Sequence, residues 1–145
     1  MGIFTRFKDI VSSNINAMLD KAEDPEKLIR LMIQEMEETL VELKASCAKT
    51  MATAKRVARE LEQEESRGAA WEQRARLAVD KGRDDLAREA LSEKHVHLRR
   101  AEGLREELAR LEILEDQARE DIGLLEDKLE NAREKQRVLV HRHTR

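Results

Sequence analysis

The chain has 145 residues, of which 41% are charged, 40% hydrophobic and only 2% aromatic. So few rings leave little for a compact core, and the abundance of Ala, Glu, Lys, Leu and Arg points to long helices or a coiled coil, while five glycines and one proline exclude a turn-rich all-β fold. A formal net charge of −3 argues against direct DNA binding, and the chain holds no run of about 18 apolar residues that could cross a bilayer.

Residues 2–20 come first and read as an amphipathic helix. Ile3, Phe4, Phe7, Ile10, Val11, Ile15, Met18 and Leu19 gather on half of a helical wheel, and Asp9, Ser12, Ser13, Asn16 and Asp20 take the other half. Both phenylalanines of the chain sit here. Two destinations fit the pattern: a membrane surface, or the flank of the following helices as a third bundle helix. The two phenylalanines and the break that follows favour the membrane. Arg6, Lys8, Asp9 and Asp20 cancel, so apolar insertion must dominate over attraction to anionic lipid. The membrane-binding residues are then Ile3, Phe4, Phe7, Ile10, Val11, Ile15 and Met18. Their burial is worth on the order of 10 kcal/mol gross, before ordering is subtracted.

A helix break follows at Asp24 and Pro25. Aspartate is a good N-cap, proline suits the first helical position, and Glu26 favours the positive end of a new helix. From there an apolar stripe steps by three and four through Ile29, Ile33, Met36, Leu40, Leu43, Cys47, Met51, Ala54, Ala58 and Leu61. Gly68 marks either a bend or a close contact. Trp71 reads either as an exposed anchor or as a structural cap beside the turn, and the cap is favoured. Lys81-Gly82-Arg83-Asp84-Asp85 reads as a stop and a start, with Gly82 as the hairpin turn.

The second arm keeps a stricter seven-residue repeat. Ala101, Leu108, Ile122 and Leu129 fall on one position, and Leu104, Leu111, Ala118, Leu125, Ala132 and Leu139 on the other. The fold class expected is therefore all-α: a long antiparallel helical hairpin, or coiled coil, preceded by an N-terminal amphipathic helix. Residues 1–24 form the membrane segment and linker, and residues 25–145 the hairpin, with arms at about 25–80 and 84–143. Leu28, Leu31, Met32, Val41, Val57, Leu77, Val79, Leu86, Leu98 and Leu114 flank the seam, either broadening it or facing partners.

Charge is uneven along the chain. Residues 84–134 hold sixteen acidic and nine basic side chains, residues 67–83 five basic and two acidic, and residues 135–145 four basic and no acidic ones. Lateral self-association through opposite charge is one reading, a solvated face the other.

No catalytic constellation is evident. His95 and His97, like His141 and His143, are two apart and point to different helix faces. No metal-binding, phosphate-loop or Cys-x-x-Cys motif occurs, and no cofactor is expected. Cys47 lies on the apolar stripe as a small core residue, and a lone cysteine fits a reducing compartment.

Three blocks carry a resemblance: the opening Met1-Gly-Ile-Phe-Thr-Arg-Phe7, residues 22–40 (Ala-Glu-Asp-Pro-Glu-Lys-Leu-Ile-Arg-Leu-Met-Ile-Gln-Glu-Met-Glu-Glu-Thr-Leu), and Asp85-Leu-Ala-Arg-Glu-Ala-Leu91. Together they resemble the phage shock protein A family, which includes the thylakoid vesicle-inducing proteins and is related to ESCRT-III. The resemblance implies a non-enzymatic protein with two roles. In the cytoplasm it would bind and inhibit the AAA+ sigma-54 activator phage shock protein F (PspF), as a negative regulator of stress genes. Under envelope stress it would move to the cytoplasmic face of the inner membrane, form a homo-oligomer, and support or remodel the membrane. Ile3, Phe4, Phe7, Ile10 and Val11 would lie in the family's lipid-binding helix. The stretch from Ile29 to Leu43, with Met32, Ile33, Met36 and Leu40, would lie in the region that holds the activator. Family members continue with further helices beyond the second arm. Their absence from this sequence gives it the look of a hairpin fragment. The alternative is a purely structural, self-assembling coiled-coil scaffold.

Overall fold

The computed structural model describes residues 2–144, and side chains as far as Arg142. Among the described residues it has helices and no strands, with α1 at Ile3–Ser12, α2 at Ile15–Lys21, α3 at Pro25–Asp80 and α4 at Asp84–Thr144. The two long helices pack against each other as a hairpin.

Both ends of α3 are built by the residues that signal them. Asp24 Oδ1 accepts a hydrogen bond from Lys27 N at 3.2 Å, and Pro25 is the first helical residue. At the far end Gly82 adopts φ 71°, the left-handed conformation that costs glycine least. Arg83 N donates to Ala78 O at 2.8 Å and Gly82 N to Val79 O at 3.0 Å, which is the bond pair of a Schellman cap. Asp84 and Asp85 then occupy the first turn of α4, where the helix dipole favours negative charge.

The chain divides into two compact units, Met1–Ala48 with Asp116–Arg145, and Lys49–Glu115. In the first, a single cluster joins Ile29, Ile33, Met36 and Leu43 of α3 to Leu125, Leu129 and Ala132 of α4. The heptad positions thus meet the apolar stripe, as the spacing requires. Thr39 lies in the same stripe with no exposed surface, and its hydroxyl has no hydrogen-bond partner. An unpaired buried hydroxyl costs about 1–3 kcal/mol. Thr39→Val keeps the shape and removes the orphan. Its expected result is a stabilisation of about 1 kcal/mol, read as a raised Tm; a lowered Tm would show that the hydroxyl is satisfied.

The second unit has a narrower seam. Ala54 and Val57 are buried, followed by Ala75 and Ala78 on α3 and by Ala87, Ala90 and Ala101 on α4. The stripe there departs from the spacing read from sequence. Val57 is 1% exposed and Ala58 faces out, because a three-residue step after Ala54 turns the larger apolar side chain inward. Gly68 lies inside the continuous α3. It is a close-contact site, where an added Cβ would meet Leu98 Cδ2 at 3.4 Å.

Two carboxylates tie the helices of this unit together. Glu64 accepts from His97 Nδ1 at 2.5 Å, and Glu72 from Lys94 Nζ at 2.5 Å and Arg76 Nε at 3.1 Å. The hydrogen bond from His97, with the charges of His97, Arg67 and Arg100, holds the Glu64 carboxyl below its ordinary value of 4.5. The Lys94 and Arg76 bonds do the same for Glu72. A depressed acid stabilises the fold above its unfolded value and loses that contribution as pH falls through the folded one. The stability difference between the parent chain and Glu64→Gln should therefore shrink as pH falls below 4.5. Denaturant melts across that range check this, and a difference independent of pH would refute it.

Candidate membrane-binding segment

Helices α1 and α2 arise from a single amphipathic pattern, and their junction is set by side chains. Ser13 Oγ donates to Ile10 O at 2.6 Å and Ser12 Oγ to Asp9 O at 3.3 Å, taking carbonyls that a continuing helix would need. Asn14 then caps α2, its Oδ1 accepting from Ala17 N at 3.1 Å. The continuous helix expected over residues 2–20 is thus two helices.

The apolar face of the segment is turned onto the hairpin. Ile10 and Ile15 are buried in the Ile29–Leu125 cluster, and Ile3, Phe7 and Leu19 pack against it half-buried. Val11 is half-buried as well. Phe4 is 63% exposed and Met18 41%. The apolar face that was expected to meet a membrane packs here on the hairpin core, the other of the two destinations the pattern fits.

Among the described residues, three cations make polar contacts that fasten the segment. The Arg6 guanidinium pairs with Glu42 of α3, while its Nε is buried without a partner. Lys128 Nζ of α4 donates to Val11 O at 3.3 Å and Ser13 O at 2.5 Å, placing a cation on the C-terminal carbonyls of α1. Lys135 Nζ donates to Asn16 Oδ1. Sequence reasoning missed Glu42, Lys128 and Lys135, since pairs up to 119 residues apart leave no local trace. The Ser12-Ser13-Asn14 run was a readable break and cap.

The residues expected to hold an activator lie in or against the core of the first unit. Ile29, Ile33, Met36 and Leu43 are buried core, and Met32 and Leu40 pack against it half-buried. A partner that docked on these side chains would have to displace this core. On the same stretch of α3, Leu31 and Val41 are exposed. Among the described residues no group of three or more His, Cys, Asp or Glu is placed to hold a metal ion, and no helix is long and apolar enough to cross a membrane. The side chain of His143, paired above with His141, lies outside the described residues.

A helical hairpin with a short amphipathic lead segment folded along it defines the class. The chain belongs to the PspA/IM30 family, whose pattern matches residues 2–144. It is 36% identical over 142 residues to the membrane-associated protein Vipp1 of Synechocystis, covering 98% of this chain and 53% of that protein. It is 32% identical over 142 residues to a phage shock protein A homolog of Deinococcus radiodurans, covering 98% of this chain and 64% of that one. Protein LiaH of Bacillus subtilis is 25% identical over 142 residues, with 97% and 62% coverage. The chain thus spans between about half and two thirds of the length of these relatives.

Proposed function

We propose that the chain is a peripheral membrane-binding envelope-stress protein, acting on the cytoplasmic face of the inner membrane by adhesion rather than catalysis. The observation that carries this reading is the N-terminal segment. It is a short, strongly amphipathic pair of helices, set off from α3 by the Asp24–Pro25 break and fastened to the hairpin by a handful of polar contacts. The lead segment leaves the hairpin and lays Ile3, Phe4, Phe7, Ile10, Val11, Ile15 and Met18 into the bilayer interface. The relatives named for membrane association support the same reading.

Homo-oligomers form in this reading through the basic turn region and the acidic excess of α4, and weaken as salt is raised. In its finer form the hairpin also holds and inhibits an AAA+ activator of the phage shock protein F type, using exposed α3 side chains such as Leu31 and Val41. An activator ATPase rate unchanged at saturating chain would remove that part.

The membrane reading is tested by co-sedimentation with phosphatidylglycerol vesicles. The whole chain should pellet with them, and a version lacking residues 1–24, with its helicity checked by circular dichroism, should stay in solution. Undiminished pelleting of the shortened chain would overturn it.

A further inference from the structure

At the α3–α4 turn, inside the second unit, lies an open groove of about 460 Å³. Trp71, Leu77 and Ala78 of α3 and Leu86 and Ala90 of α4 form its apolar lining, and Arg74, Lys81, Arg83 and Glu89 are its charged groups. Leu77 is 58% exposed and Leu86 43%, so neither belongs to the alanine seam.

The cations differ in how they are engaged. Arg83 faces Asp85, at 3.4 Å. The Arg74 guanidinium lies 4.5 Å from the Trp71 ring centroid, on an aromatic face, and makes no ion pair among the described residues. Among the described residues Lys81 makes no ion pair. Two cations without carboxylate partners therefore stand over an apolar trough that one indole helps to form.

That arrangement fits a molecule with an anionic head and an apolar body. The groove is of single-ligand size. Asp80, Asp84 and Asp85 surround the turn, which keeps long-range attraction toward an acidic surface small, so recognition must come from short-range pairing together with apolar burial. We propose that this groove binds one anionic phospholipid, its phosphate held by Arg74 and Lys81 and its acyl chain laid over Trp71, Leu77 and Leu86. The site is separate in sequence from α1 and α2, and it does not depend on the insertion of those helices.

Trp71 is the only tryptophan and the chain has no tyrosine, so intrinsic fluorescence reports this groove alone. The whole chain is titrated with monomeric short-chain phosphatidylglycerol, with phosphatidylcholine of equal chain length, with inorganic phosphate and with an acidic amphipathic peptide. The expected result is a saturable blue shift with phosphatidylglycerol alone. Lys81→Gln weakens it about tenfold, since a hydrogen bond to a charged group is worth roughly one decade of affinity or more. Phe4→Glu leaves it unchanged.

No shift with phosphatidylglycerol would overturn the proposal. So would an equal shift with phosphatidylcholine or phosphate, a shift with the peptide only, or loss of the shift in Phe4→Glu. A chain that shows the shift yet fails to pellet with vesicles would leave this site standing while the N-terminal reading falls.

Discussion

Phe4→Glu is expected to abolish vesicle co-sedimentation while leaving the thermal unfolding of the chain unchanged. Phe4 is 63% exposed on the docked segment, so its replacement removes almost nothing from the packed state. Surface substitutions of this kind stay within about 0.5 kcal/mol. At a bilayer, in the proposed reading, the same ring would insert. Losing its burial costs about 2–3 kcal/mol, and placing a carboxylate there costs more. Together these weaken binding by on the order of 100-fold or more. Ile10→Glu makes the instructive contrast. Ile10 is buried against the hairpin, so that variant should lose both stability and lipid binding. Undiminished pelleting of Phe4→Glu would show that this face does not enter the membrane.

Leu125→Ala should act in the opposite direction on lipid. Leu125 is fully buried in the cluster that receives Ile10 and Ile15. Truncating such a side chain leaves a cavity and costs about 2–5 kcal/mol. Part of that loss falls on the docking of α1 and α2, because the same cluster holds both. Their inserting side chains are untouched. The segment should therefore leave the hairpin more readily, and vesicle affinity should rise while Tm falls. A variant with lowered Tm and lowered vesicle affinity would mean that an intact hairpin core, rather than a released segment, supports binding. Because the two substitutions move lipid binding in opposite directions, measuring both separates a loss of insertion from a general loss of structure.

The hairpin was legible because its signals are local and repeated. The three-and-four stepping from Ile29 to Cys47, the heptads through Leu125 and Ala132, the Asp24–Pro25 start and the Gly82 stop each follow from the geometry of a single helix. Where the stripe slipped, at Val57 against Ala58, one helical position separates two alternatives of similar spacing, and side-chain size decided between them. Thr39 could not be read as core, since nothing in the pattern of a polar residue predicts full burial. The site was harder for a more basic reason. An amphipathic face records that something apolar must cover it, but not what does. A bilayer and the Ile29–Leu125 cluster satisfy the face of α1 equally well. The polar fastenings by Glu42, Lys128 and Lys135 that distinguish them depend on the fold as a whole.

The Lys128 clasp grips main-chain oxygens of Val11 and Ser13 and no side chain of the segment. Every amino acid carries that oxygen. Substitutions along the outer side of α1 would therefore leave this clasp intact while changing the surface that the segment would offer to lipid.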